Sequence, residues 1–284
     1  MKSAASRNEA QIAYWNSVGG DRWVAAAEHT DRMMKPVQEA LLARADLRPG
    51  MNVLEIGCGC GETAIEIARR VGGSGRVAAV DVSRQMLALA RTRLAGLPQA
   101  ELLEADAGAH PFGQFADLAI SRFGVMFFGD PVAAFANIRK AIKPRGRLLI
   151  ATWQAVQDNE WMRVPLEAAL SAGIPAEPPL EPEMPGPFSF ADPERIGRIL
   201  TAAGFAEAAV SPVNPVLDLA AGGGLEAAVR QAMTVGAAAA LVRKQPQDLI
   251  AAARAKIETA LRPYERGGTV SLSAAIWLAE ARPA

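Results

Sequence analysis

The stretch Val53-Leu54-Glu55-Ile56-Gly57-Cys58-Gly59-Cys60-Gly61-Glu62-Thr63 constrains the fold more than any other part of the chain. An apolar run carrying one acid gives way to three alternating glycines, and Ala64-Ile65-Glu66-Ile67-Ala68-Arg69-Arg70 follows with helical periodicity. Such a run reads as a buried parallel strand that delivers the backbone into a tight turn. Glycine has no Cβ, so the turn can take positive φ and a ligand can lie against bare backbone. That ligand would sit at the carboxyl end of the strand, against the N-terminus of the helix. The spacing narrows its chemistry. The nicotinamide fingerprint G-x-G-x-x-G cradles a pyrophosphate, whereas here the pattern is G-x-G-x-G with Glu55 two residues ahead. A carboxylate so near the loop repels pyrophosphate and suits a ligand carrying an ammonium group. The chemistry points to S-adenosylmethionine.

Leu54–Gly61 resembles motif I of the class I S-adenosylmethionine-dependent methyltransferases, and further matches follow in that family's order. Gly75-Arg76-Val77-Ala78-Ala79-Val80-Asp81 is a second apolar strand ending in an acid, and Glu104-Ala105-Asp106-Ala107 resembles the adenine-edge motif. Phe115–Phe123 resembles the fourth strand with its following loop, and Ile142-Lys143-Pro144-Arg145-Gly146-Arg147-Leu148-Leu149-Ile150 resembles the approach to the fifth. The resemblance covers residues 50–153 well, and the remainder partly resembles the small-molecule, ubiquinone-biosynthesis-like branch. It implies an α/β, doubly wound, Rossmann-like sheet, seven-stranded and mostly parallel, with an N-terminal helical lid and a helical insertion before the last strand. It also implies cofactor roles. Glu55 would accept the methionine ammonium; Gly57, Gly59 and Gly61 would permit close approach, with Cys58 between them. Asp81, followed by Val82, would take the ribose diol, and Met86 would pack on adenine. Asp106 and Ala107 would meet the adenine edge, while Ser121 and Arg122 would face the methionine portion. Cys60 and Arg145 depart from the family pattern, which more often has a small or turn-favouring residue and a glycine there.

Bulk properties agree with a soluble enzyme. A chain of 284 residues can bury a large core. Apolar residues make up 50% and charged ones 21%, and thirty basic residues balance thirty acidic ones, so nothing calls for a polyanionic partner such as nucleic acid. No apolar run is long enough for a membrane span, and the N-terminus lacks an apolar signal core. These features point to the cytoplasm. Both cysteines, Cys58 and Cys60, sit in the glycine loop, and His29 and His110 are the only histidines, so no metal site is expected. The cysteines read as small fillers of a tight turn. The adjoining helix N-terminus would lower a thiol pKa there, which makes Cys60 a candidate for oxidation.

The chain reads as one domain over 1–284, with a helical lid over 1–45, a cofactor-binding core over 46–153 and a substrate-side elaboration over 154–284. Residues 9–45 read as helical with a break at Gly19-Gly20. Tyr14, Trp15 and Trp23 surround that joint, and the resemblance, in which the N-terminal segment is a lid over the cofactor, makes all three candidates to stack near the sulfonium, since aromatic faces attract cations. Their bland alternative is ordinary core packing. Ser83 reads as an N-cap, Pro131–Ala141 as a helix, Asp158–Ala172 as another, and the proline-rich 176–187 as an extended loop. Asp192 with Pro193 opens a further helix that ends at Gly204. Phe205–Leu219 and Thr269–Ala281 read as strands. The alanine-rich stretch between Gly222 and Gly268 reads as a helical pair, a substrate cover or else a contact in a homodimer or mere packing.

Methyl transfer from a sulfonium is an in-line displacement in which the cofactor carries the activated carbon. The protein chiefly positions the acceptor, and a base is needed only where the acceptor must lose a proton. His29, His110 and Tyr14 are the candidate bases, each also readable as a surface or loop residue, and Arg122 is also a candidate for holding an acidic acceptor. Ser121-Arg122-Phe123-Gly124 lacks the Asn/Asp-Pro-Pro-aromatic signature of exocyclic-amine nucleic-acid methyltransferases. The expectation is methylation of a small molecule. A nicotinamide-dependent oxidoreductase and a non-catalytic S-adenosylmethionine-binding protein are the alternatives.

Overall fold

The computed structural model describes residues 3–176 and 184–284. Five parallel strands come first: β1 (Asn52–Ile56), β2 (Arg76–Asp81), β3 (Ala100–Glu104), β4 (Ala116–Arg122) and β5 (Ile142–Trp153). With β6 (Phe205–Val213) and the final strand they build one seven-stranded sheet. Between those two lie β7 (Val216–Asp218), β8 (Glu265–Arg266) and β9 (Thr269–Ser273), which pair as a small second sheet in the order β7-β9-β8. The final strand is β10 (Ile276–Pro283), antiparallel to both its neighbours, and the main order is β3-β2-β1-β4-β5-β10-β6. The order reverses direction between β1 and β4, and in open α/β sheets ligands bind in the crevice outside that point.

The strands read apolar because both faces are covered. Val53, Leu54, Val77, Ala79, Leu118, Ala119 and Ile120 are all buried. Helices α1 (Ala4–Trp15), α2 (Val18–Ala25), α3 (Ala27–Met33) and α4 (Lys35–Arg44) precede the sheet; α5 (Glu62–Val71), α6 (Arg84–Leu94) and α7 (Pro131–Ala141) make crossovers. Spacing explains α5: Ala64, Ile67, Ala68 and Val71 share one face at helical intervals and are all fully buried. The caps are local chemistry. Ser83 Oγ accepts from Met86 N at 3.4 Å ahead of α6, and Asp130 Oδ1 accepts from Ala133 N at 3.0 Å with Pro131 opening α7. Later in the chain come α8 (Glu160–Ser171), α9 (Pro193–Ala202), α10 (Gly224–Thr234), α11 (Ala237–Val242) and α12 (Gln247–Leu261). Asp192 Oδ1 caps α9 by accepting from Glu194 N.

Three expectations change. Gly19-Gly20 is not a joint: both glycines lie buried inside α2, and the chain turns at Asn16–Ser17. A Cβ on Gly20 would collide with the Trp15 carbonyl oxygen and stand 2.7 Å from Ser83 Oγ, so the missing side chain serves close packing. Asn16 fastens the turn, donating from Nδ2 to Val82 O at 2.8 Å and accepting from Arg84 N at 3.1 Å. The strands expected over 205–219 and 269–281 each break in two, at Pro215 and at Ala274-Ala275. Proline has no N–H for the ladder, and the fully buried Asn159 pins the second break, accepting from Ala275 N at 2.8 Å and donating to Ala275 O at 3.1 Å. The outer halves leave the main sheet and form the second one. The alanine-rich insertion holds three helices, α10 to α12, rather than a pair. The proline-rich loop falls largely on 177–183, outside the described residues.

Candidate active site

A cavity of about 800 Å³ opens at the carboxyl edge of the sheet, roofed by the N-terminal helices and by the turn into α11. Its floor is the loop after β1. Gly57 N and Cys58 N both donate to Val80 O, at 2.8 and 3.1 Å, and Gly57, Gly59 and Gly61 have φ of +69°, +54° and +85°. A Cβ on Gly57 would lie 2.7 Å from Gly124 Cα, so the loops after β1 and β4 touch backbone to backbone. Ser121 Oγ, buried beneath them, donates to Ile56 O at 2.8 Å and accepts from Gly124 N at 3.2 Å.

The acids differ in how they are satisfied. Asp81 accepts from Gly59 N on one oxygen and Ser83 N on the other, both at 2.8 Å. Burial raises its pKa, and those backbone donors oppose the rise. Glu55 is 2% exposed, and its Oε2 has no hydrogen-bond partner among the described residues. Burial pushes the Glu55 carboxyl up to about 8; the Arg122 guanidinium pulls down and Asp81 pushes up by smaller amounts. Asp106 accepts from Asn8 Nδ2 of α1 at 2.8 Å and from Gly108 N at 2.8 Å, which ties the first helix to the loop after β3. The thiols run against the expectation of lowered pKa. Burial holds Cys58 well above its ordinary range and pushes Cys60 up to about 12. The loss of solvation outweighs the partial charge of the helix terminus.

Most candidate residues converge on this cavity: Glu55, Gly57, Cys58, Gly59, Asp81 and Val82 line the floor. Met86, Asp106, Ala107, Arg122, Tyr14 and Trp23 line it elsewhere. Gly61 does not. It sits behind the floor as the N-cap of α5, where a Cβ would lie 3.1 Å from Ala90 Cβ. Ser121, expected against the methionine portion, ties the two loops from below. His29 also lies off the wall, its Nε2 2.7 Å from Leu219 O, and His110 packs edge-on against Phe112 at 4.7 Å.

The sequence reading missed an aromatic wall. Phe123 stacks on Trp153 at 4.0 Å and 13°, and Trp153 meets Trp161 at 5.3 Å, all three lining the cavity. Phe123 takes φ of +67°, uncommon outside glycine. The available signal was position: Phe123 and Trp153 lie at the carboxyl ends of β4 and β5, where ligand-contacting residues gather. A second group, Tyr14, Trp15, Trp23 and Phe127, packs edge to face at 5.0–6.2 Å. No group of three or more potential metal ligands occurs among the described residues, and none of their helices is long and apolar enough to cross a membrane.

A sheet of this order, with an acid beneath a three-glycine loop and a second acid at the end of β2, has the arrangement expected of the cofactor half of a class I S-adenosylmethionine-dependent methyltransferase. Residues 53–146 match the family model described as a methyltransferase domain, and the chain carries that domain. It is 30% identical over 184 residues to nocamycin O-methyltransferase of Saccharothrix syringae, covering 61% of this chain and 65% of that one. It is 36% identical over 120 residues to the ubiquinone/menaquinone biosynthesis C-methyltransferase of Paraburkholderia phymatum, covering 41% and 49%. The chain thus spans about half to two thirds of the length of these two relatives. Among solved structures, a Haemonchus contortus phosphoethanolamine N-methyltransferase with S-adenosylhomocysteine bound shares the fold, with TM-score 0.53, 19% identity, and coverage of 87% of this chain and 52% of that one.

Proposed function

We propose that the protein transfers a methyl group from S-adenosylmethionine to a small-molecule acceptor. The observation that carries this reading is the Glu55 carboxyl, buried on the cavity floor with one oxygen unpartnered. An ammonium group supplies both the donors and the charge that such an oxygen lacks. The residues present fit the rest of the cofactor. Asp81 spends one lone pair of each oxygen on backbone N–H groups and keeps others for a ribose diol. Met86, Val82, Asp106 and Ala107, all in the lining, would hold the adenine and ribose, and Arg122 would suit the methionine carboxylate. Tyr14 and Trp23, which line the cavity from the N-terminal helices, would offer aromatic faces to the sulfonium.

The cofactor supplies the activated methyl carbon, and the protein orients the acceptor and excludes water. No base on the wall is required for acceptors that ionise in water. Of the three candidate bases, Tyr14 alone lines the cavity. The named relatives methylate at oxygen and at carbon, and a cavity of about 800 Å³ falls in the roughly 300–1,000 Å³ typical of small-molecule sites. Balanced charge and the absence of the nucleic-acid signature after β4 favour a metabolite in the cytoplasm over a nucleic acid.

Calorimetric titration with S-adenosylmethionine, S-adenosylhomocysteine and NAD tests the reading. Micromolar binding of the two sulfur nucleosides and none of NAD is expected. Binding of NAD alone overturns it and turns attention to hydride transfer.

A further inference from the structure

Three guanidiniums line the cavity without a hydrogen bond or ion pair to any described residue: Arg22 in α2, Arg122 at the end of β4 and Arg243 just after α11. Arg93 shows the usual outcome, pairing at 2.7 Å with Asp31 of the cavity lining. Arg122 has a role already, beside Glu55. The other two line the same cavity and are near enough for their charges to act on each other. Burial lowers the pKa of Arg243, the Arg22 charge lowers it further, and Tyr14 acts in the opposite sense. Two unpaired like charges at one place cost free energy unless something negative joins them. They come from different parts of the chain, the N-terminal lid and the alanine-rich insertion, so no local helix pairing explains them.

The same cavity has an apolar part. Trp153, Trp161, Met162, Leu166, Phe188 and Leu241 face it, and Gly236 brings the turn before α11 onto Trp161, with a Cβ there 3.5 Å from the indole. Trp161 is buried, and its Nε1 has no hydrogen-bond partner among the described residues. Indole N–H groups usually find an acceptor when buried.

We infer that the acceptor is an amphipathic acid, its apolar, ring-sized body against the Trp153–Trp161 wall and its anionic group held between Arg22 and Arg243. The inference rests on the methyl-transfer reading and names the substrate class for it. Guanidinium forks match carboxylates, phosphates and sulfonates. An oxyanion whose lone pairs are engaged by two such forks is a poor nucleophile. The clamp therefore anchors the acceptor, and a different atom receives the methyl group.

The test uses 2-naphthoate and its uncharged partner 2-naphthamide as probes, in equilibrium dialysis against the full chain saturated with S-adenosylhomocysteine. The acid should bind at least about tenfold more tightly than the amide. In the R22Q/R243Q double variant that preference should vanish with S-adenosylhomocysteine affinity unchanged, and R22K/R243K should restore part of it. Equal binding of acid and amide, no binding of the acid at millimolar concentration, or a preference surviving R22Q/R243Q overturns the clamp. Failure of the unsubstituted protein to bind S-adenosylhomocysteine overturns the methyl-transfer reading instead, so the two fail separately.

Discussion

Glu55 and Asp81 are both buried acids at the ends of neighbouring strands, yet the structure treats them differently. Asp81 is held by two backbone donors, while Glu55 has an open oxygen and a pKa near 8. The sign follows from proton counting. Between the ordinary 4.5 and about 8 the folded chain holds a proton on Glu55 that the unfolded chain has released. The stability of the ligand-free protein therefore falls as pH rises through that window. Urea titrations from pH 5 to 8 should show this, and Glu55→Gln should remove much of the slope. An ammonium-bearing ligand needs the carboxylate, so S-adenosylhomocysteine affinity should rise with pH towards 7.5, by up to about tenfold per unit. In Glu55→Gln that rise should be absent and binding weak throughout. Asp81→Asn keeps a backbone-accepting oxygen but loses the charge; its affinity for S-adenosylhomocysteine should drop roughly 10- to 100-fold, given about 1.5–3 kcal/mol for hydrogen bonds to a charged group.

Among the elements, those with local causes were legible in the sequence: the glycine loop, the Ser83 and Asp192 caps, and the buried strands β1, β2 and β4. What was not legible depended on partners far along the chain. Gly19 and Gly20 signal either flexibility or close approach, and only Ser83 across the interface decides for approach. The kink at Ala274-Ala275 depends on Asn159, more than a hundred residues earlier. Asn159→Ala strips partners from buried backbone groups and should cost about 3 kcal/mol, read as a lowered urea midpoint. Gly20→Ala forces a Cβ onto the Trp15 carbonyl and should loosen the lid, seen as faster proteolysis within residues 3–33 at little cost to global unfolding. Residue type marks candidate bases but says nothing about which way a loop faces. His29 turned out to bond Leu219, whereas Arg22 and Arg243, unremarkable in sequence, reached the cavity.

For the whole molecule, the lid, the sheet edge and the alanine-rich insertion meet at one cavity, so a ligand there couples three separate stretches of chain. Saturation at a hundred times Kd should add about 2.7 kcal/mol to global stability, and S-adenosylhomocysteine should protect both the lid and the 222–268 segment from proteolysis together. Protection of one without the other would place the ligand elsewhere. Four of the five tryptophans, Trp15, Trp23, Trp153 and Trp161, border this space, and the fifth, Trp277, is not in the lining and donates to Ala191 O. The molecule's own ultraviolet emission is accordingly concentrated around its binding chamber. Filling either half should change the colour or brightness of that light, so acceptors can be sought without a label, a radioactive methyl donor or any prior guess at the product.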